Sequence, residues 1–400
     1  KGQTGDSRSY GFRFRWAQDY DGVRQVLVDE GGIDVHVVPG MTVPTDLAAQ
    51  VALRTGQEVS QIRAEFPDAT QIEALGTRGE YRLYRVRFAR LGENRLEVRY
   101  GKDRHMVLEF FCTEPIETLI RKRGAFLARS QHRDPSKWYN GLITDWNMQD
   151  QVLPSPDNYD RISGFRIYAV TCDDPGLGKP AFLAAKNAEF PVQAEVEALD
   201  YYIRHFVWGG LQRTAEETYP YGVYGIQDWK RNRDSNDPGR NGQLHLWRVY
   251  DYPHVVLMYF SLFRVARDHP QIRTALSARE YLQRAYGTAQ AMYTVPMQIE
   301  KWSAYGTGFY NELVIVDLIR ELEAAGLKAE ADTLRGHWER KVKAFVIEGQ
   351  DLFRSEYAFD STGFESTHAL ARYAVQNADG PGRTRSGISL EQARRFMETQ

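Results

Sequence analysis

Polar and apolar positions alternate with period two over residues 10–16 and 81–88, the pattern of a half-buried strand. Residues 33–38, 95–100 and 106–111 read the same way, with turn signals at 91–94 and 100–103 between them. Several short strands at this spacing predict an antiparallel β-sandwich over residues 1–113, interrupted by one amphipathic helix at 19–30. Residues 114–192 read as a connector, with a basic helical stretch at 114–130 followed by loop-rich chain. Loops of that length in a compact protein are often functional. Within the connector, the run from Asp173 to Pro180 has a superficial likeness to a phosphate loop. No Ser or Thr follows it on a helix and Pro180 has no N–H to donate, so that reading is excluded.

From about residue 193 the period becomes helical, over 195–208, 253–268, 278–293, 309–325, 328–347, 364–377 and 390 to the end. Short connections favour antiparallel neighbours. Residues 255–263 are apolar on every face, whereas 328–343 are amphipathic and charged. A helix apolar all round must be enclosed by protein, and an amphipathic one can face water. Their alternation predicts an inner and an outer ring, a toroid of helical hairpins of the (α/α)6 type over 193–400. A closed toroid of that type needs a dozen helices, and only about seven or eight are legible here. Residues 388–397 also start a new helix without a stop signal. The expected class is therefore α+β multidomain, with the toroid incomplete and the natural chain running past Gln400. The opening on Lys1, without Met or an apolar signal segment, fits a processed or cropped start. No uninterrupted run of about 18–20 apolar residues predicts a membrane span.

Charge narrows the partners. Lys and Arg number 51 against 53 Asp and Glu, a net charge of −2, which disfavours nucleic acid because phosphate binding needs a basic surplus. The two cysteines, Cys112 and Cys172, make neither a disulfide framework nor a metal-binding spacing. No cofactor is expected, and no ligand loop demands a metal, which leaves room for a hard cation among the carboxylates. Aromatic residues are abundant, with 23 Tyr, 19 Phe and 8 Trp, and many stand beside Gly, Pro, Asn and Asp. Tyr221 and Tyr224, in the run 219–225, and Trp138, in the connector loop, offer flat faces with polar edges that suit sugar rings.

Three runs gather candidate chemistry, each a polar aromatic loop feeding a helix. The first is Trp247, Arg248, Tyr250, Asp251, Tyr252 and His254, with Pro253 fitting a first helical turn. A helix N-terminus there favours an anion such as a uronate carboxylate. The plain structural reading makes Asp251 a cap and His254 a core histidine. The second run holds Trp302, Tyr305, Tyr310 and Glu312 around Gly306 and Gly308. Glu312 would equally well complement a helix dipole. The third runs from Phe359 to His368: Glu365 and His368 share a helical face, and Thr362 with Glu365 has capping-box spacing.

The runs at 11–16, 132–139 and 250–254 together resemble a bacterial carbohydrate-active group with an N-terminal β-sandwich and a six-hairpin toroid. Among enzymes of that architecture the chain most resembles the rhamnose–glucuronate lyases of polysaccharide lyase family 27. The resemblance implies a polysaccharide substrate, a periplasmic or extracellular setting, and β-elimination with a tyrosine base. Such a lyase must neutralise the uronate carboxylate and then take the C5 proton. Arg248 suits the first task; Tyr252 or His254, with Tyr305 or His368 as alternatives, suits the second. An inverting hydrolase would instead need two carboxylates about 6.5–9.5 Å apart, from among Asp251, Glu312 and Glu365. A non-catalytic glycan-binding protein would use the aromatic residues alone.

Overall fold

The computed structural model describes residues 5, 7, 9–162, 174–225, 229–348, 361–379 and 386–399. Cys172, Asp173, Phe359 and Asp360 lie outside these, as does the side chain of Thr362. The chain divides into two compact units, Lys1–Lys122 and Arg123–Gln400.

The first unit holds helix α1 (Tyr20–Asp29) and eight strands: β1 (Asp34–Val38), β2 (Thr42–Pro44), β3 (Ala49–Arg54), β4 (Val59–Ala64), β5 (Thr70–Arg78), β6 (Tyr81–Phe88), β7 (Gly92–Tyr100) and β8 (Arg104–Thr113). One sheet runs β1-β3-β6-β5 and is antiparallel. The other runs β2-β8-β7-β4, with β2 parallel to β8. Alternation gives each sheet an apolar face. Val51, Leu53, Val86 and Phe88 from one share a core with Leu96, Val98, Leu108 and Phe110 from the other. The rings of Phe88 and Phe110 are 5.0 Å apart in that core.

The strand expected at 10–16 does not form. Tyr10, Phe12, Phe14 and Trp16 are exposed, and residues 9–17 join no described strand. Alternation specifies a strand only where a sheet edge receives it, and here none of the described edges does. Conversely β2 to β5 escaped the pattern, β2 because it is three residues long and β5 because most of it is exposed on both faces.

The second unit is entered along α2 (Ile116–Arg129) and is built from α3 (Asp174–Glu189), α4 (Gln193–Tyr202), α5 (Trp229–Asp234), α6 (Tyr252–Asp268), α7 (Ala278–Glu300), α8 (Val314–Ala324), α9 (Lys328–Val346), α10 (Ser361–Gln376) and α11 (Leu390–Glu398). Helix α6, with its apolar run at 255–263, is enclosed by α3, α7 and α8, so most side chains along it are buried. Tertiary packing rather than propensity holds it, as the run of β-branched and aromatic residues requires. The stretch read as a connector belongs to this unit's core through Leu127, Tyr139, Leu142 and Ile143. Helix α3 forms where Pro and Gly suggested a loop, with Pro180 inside it. Its last turn is tied to α4 by a buried pair, Lys186 Nζ to Glu195 at 2.7 Å, and Asn187 donates to the same carboxylate at 2.9 Å. Among the described residues no helix is long and apolar enough to cross a membrane.

Candidate functional site

The approach to α6 is fixed from its backbone outward. Tyr252, at the start of the helix, is fully buried and its hydroxyl donates to the carbonyl of Leu246 at 2.7 Å. Burial drives its phenol far above the ordinary tyrosine value, which removes it as a proton-accepting base and makes it a post for the 246–252 turn. The Tyr252→Phe variant is expected to lose about 1–3 kcal/mol of stability by stranding that carbonyl. Turnover per folded molecule should be retained; a kcat falling with the melting temperature unchanged would restore Tyr252 to the chemistry.

Beside it, Arg248 Nη1 donates to Asp251 Oδ1 at 2.8 Å, with both side chains buried. Gly225 makes room for the pair. A Cβ there would stand 2.6 Å from the Arg248 Cβ and 2.8 Å from Asp251 Oδ2. The Arg248 guanidinium also lies 5.3 Å from the centre of the Tyr250 ring.

The segment between α7 and α8 meets this turn. Helix α7 ends at Lys301 in the left-handed conformation, and the chain passes a 3₁₀ turn at Ala304–Gly306. Trp302 stacks on Trp247 at 5.2 Å, and Tyr250 sets its edge against Trp302 at 5.6 Å and Phe309 at 5.4 Å. Asn311, at φ 64°, turns its amide onto His254, with Nδ2 2.8 Å from Nδ1. Tyr310 holds its ring 6.3 Å from the imidazole. Asn tolerates the left-handed region better than most residues, so the backbone and the amide contact are mutually consistent.

Glu312 is the foundation of this loop. Its side chain is fully buried and pairs with Lys341 of α9 at 2.5 Å. It also accepts from the Phe309 N–H at 3.1 Å and from the Ser366 hydroxyl at 2.5 Å. Lys341 additionally donates to the carbonyl of Thr307. Burial pushes the carboxyl up and the ammonium down, while their mutual attraction and the added donors pull back toward the charged forms. The reading of Glu312 as a substrate contact therefore gives way to that of a buried anchor.

The three runs thus meet, although only some of their members face one another. Ser366 rather than His368 ties α10 to the loop; His368 is exposed, and Glu365 meets the Leu313 N–H at 3.5 Å. Tyr305 instead bonds His337 Nδ1 at 2.7 Å, with Tyr293 stacked on that imidazole at 4.7 Å. Tyr224 is fully buried and packs with Trp229, and Trp138 belongs to the same cluster through Trp229 and Phe206. Burial removes Tyr224 from substrate contact. Tyr221 lies on α7 beside Trp208. Asn311, Lys341, Ser366 and His337 were not singled out from the sequence. Among the described residues no cluster of three or more His, Cys, Asp and Glu gathers to hold a metal.

His245 underlies the stacked tryptophans, its Nδ1 3.1 Å from the Trp247 indole nitrogen. Burial lowers its pKa to about 4, with the neighbouring charges of Arg240 and Arg248 acting in the same direction and a backbone bond to Arg240 opposing. The unfolded histidine titrates near 6.5, so below that value the unfolded chain binds the extra proton first. Stability is expected to be complete above about pH 6.5 and to fall as pH drops toward 4. Melting curves of wild type and His245→Asn across that window check this: equal slopes would refute a role for His245.

Residues 2–383 match the model of a family of unknown function, DUF5695. No curated protein matches the chain in sequence. Among solved structures, the chain is similar to one described as Polysaccharide Lyase BACCELL_00875, with a TM-score of 0.66 and 18% identity. The match covers 95% of this chain and 50% of that one, so the present chain spans about half the length of its neighbour.

Proposed function

The chain belongs to the DUF5695 family, and we propose that it is part of a polysaccharide lyase acting on a uronate-containing glycan outside the cytoplasm. The observation that carries this reading is the Asn311–His254 contact at 2.8 Å, with Tyr310 beside it. In β-elimination a uronate's carboxylate must be neutralised so that its C5 proton becomes acidic. The base then takes that proton, the electrons form the C4–C5 double bond, and O4 leaves with a proton.

Asn311 suits the first role and the buried His254 positions it: with the amide nitrogen donating, the imidazole accepts at Nδ1. Tyr310 suits the second role: as phenolate it takes the C5 proton, and as phenol it returns that proton to the departing oxygen. Trp247 and Trp302 form a stacked pair in the same loops, suited to packing against sugar rings. The fold likeness to a polysaccharide lyase supports the same class. A partial toroid, with α6 in its inner ring, is the architecture this reading implies.

Hydrolysis is the weaker alternative. Of its three candidate carboxylates, Glu312 is engaged by Lys341 and Asp251 by Arg248, both in buried pairs. Neither is placed as the exposed acid or base that an inverting mechanism uses. The test is to incubate the protein at its natural length with oligosaccharides carrying a glucuronate glycosylated at O4 and follow the ultraviolet absorbance of a 4,5-unsaturated uronate. Rising absorbance is expected. New reducing ends without absorbance would replace the lyase by a hydrolase, and no product at all would leave only binding.

A further inference from the structure

A second surface, separate from the residues around His254, has the chemistry of a sugar-binding groove. Gln283, Tyr286, Gln290, Thr294 and Gln298 recur along α7 at helical spacing and line one groove of ≈ 760 Å³. From the first to the last of them the helix rises ~22 Å, room for several linked sugar rings. One wall is the turn Thr218–Tyr221 and the other includes Glu330 of α9.

The turn is built to set its rings there. Tyr219 and Tyr221 both have left-handed backbones, at φ 55° and 59°. Bulky residues in that region are genuine outliers, and two of them flanking Pro220 need the surrounding structure to hold them. Arg213 N–H donates to the Gly222 carbonyl at 2.9 Å and Gln212 Nε2 to that of Tyr221 at 3.3 Å. Gly287 then lets the Tyr221 ring lie directly on α7, since a Cβ there would meet the ring at 2.4–2.6 Å. Trp208 backs Tyr221 at 5.6 Å. The groove thus offers three tyrosine rings above a floor of Gly287 and Ala291.

The polar groups are of a matching kind. The exposed amides of Gln283 and Gln298 each present a donor and an acceptor, the pairing that sugar hydroxyls satisfy. The Gln290 Oε1 acceptor is buried with no donor among the described residues, and a ligand donor reaches it when the side chain turns outward. Among the described residues Glu330 is the single charged residue in the lining, and it disfavours an anionic occupant.

We infer that the α7 groove binds a run of neutral sugar residues, holding an uncharged part of the glycan whose uronate goes to the His254 site. The inference rests on the carbohydrate reading above. The test is calorimetric titration of the protein with cellotetraose, xylotetraose and galactotetraose, beside a galacturonate tetramer. At least one neutral tetrasaccharide is expected to saturate with a Kd of about millimolar or tighter. The Gln290→Ala variant is expected to weaken that binding on the order of tenfold. Because Gln290 is partly buried, the double variant Gln283→Ala/Gln298→Ala, which changes exposed amides, is read alongside it. Failure of all three neutral sugars to saturate, wild-type affinity in both variants, or equal binding of the galacturonate tetramer would each overturn the groove. Elimination is measured on the same preparation. Turnover without groove binding removes the groove alone, and variant-sensitive binding without turnover supports the groove while removing the lyase.

Discussion

Asn311→Gly is expected to lower kcat/KM for uronate elimination by about 10²–10³-fold, the range seen when one preorganised donor is removed from a developing negative charge. Glycine is the informative replacement because Asn311 sits at φ 64°, where a Cβ is a burden and its loss is tolerated. The loop should therefore keep its course while the amide that meets His254 at 2.8 Å disappears. Folding stability is expected to change by no more than about 1 kcal/mol, the entropic cost of glycine being partly offset by relief of the left-handed strain. Asn311→Asp gives the complementary result. It keeps the size, adds a negative charge where the substrate carboxylate must come, and should raise KM as well as lower kcat. An Asn311→Gly enzyme working within threefold of wild type would sink the assignment, because the donor is gone with the rest of the side chain.

That this residue was not singled out beforehand has a physical explanation. The alternating strands β6 and β7 are legible because burial of one face imposes a period on the sequence, and helix α6 because enclosure leaves it an unbroken apolar run. A side-chain amide on a turn imposes none. The signal for Asn311 was only its place among Gly306, Gly308 and the start of α8, a position where Asn is among the few residues at ease with a positive φ. The runs around Asp251, Glu312 and Glu365 stood out as polar aromatic loops before helices, yet burial then decided which side chains face one another. Tyr252 and Glu312 were turned inward, and His368 outward. Composition could not foresee that division, since a buried tyrosine and an exposed one have the same letter. Lys341 shows the converse. It falls on the apolar stripe of α9 with Leu334, Trp338, Val342 and Phe345, so a cation on a core face was visible as an anomaly. Its partner lies 29 residues away and only the fold supplies it.

The largest loss of stability is expected from Lys341→Met. The substitution leaves Glu312 as an uncompensated charge in a site with no solvent access, and breaking a buried pair in this way costs about 3–5 kcal/mol. For a unit of this size that corresponds to a fall in Tm on the order of 10 °C. The double variant Lys341→Met/Glu312→Gln should recover more than half of the loss. The neutral amide can still accept from Ser366 and from the Phe309 N–H, and no charge remains to be desolvated. Recovery of stability should not bring full recovery of turnover. Lys341 also holds the Thr307 carbonyl, so the double variant keeps a folded unit with a looser 307–312 segment, and Asn311 rides on that segment. Thermal melts and initial rates on the same three proteins separate the two effects. If Lys341→Met melts within a few degrees of wild type, the pair is not the anchor of the loop, and the placement of Asn311 must rest on other contacts. If the double variant regains both Tm and rate, the ion pair contributes stability alone, and the geometry around His254 is set by the stacked aromatic rings of Trp247, Tyr250 and Trp302.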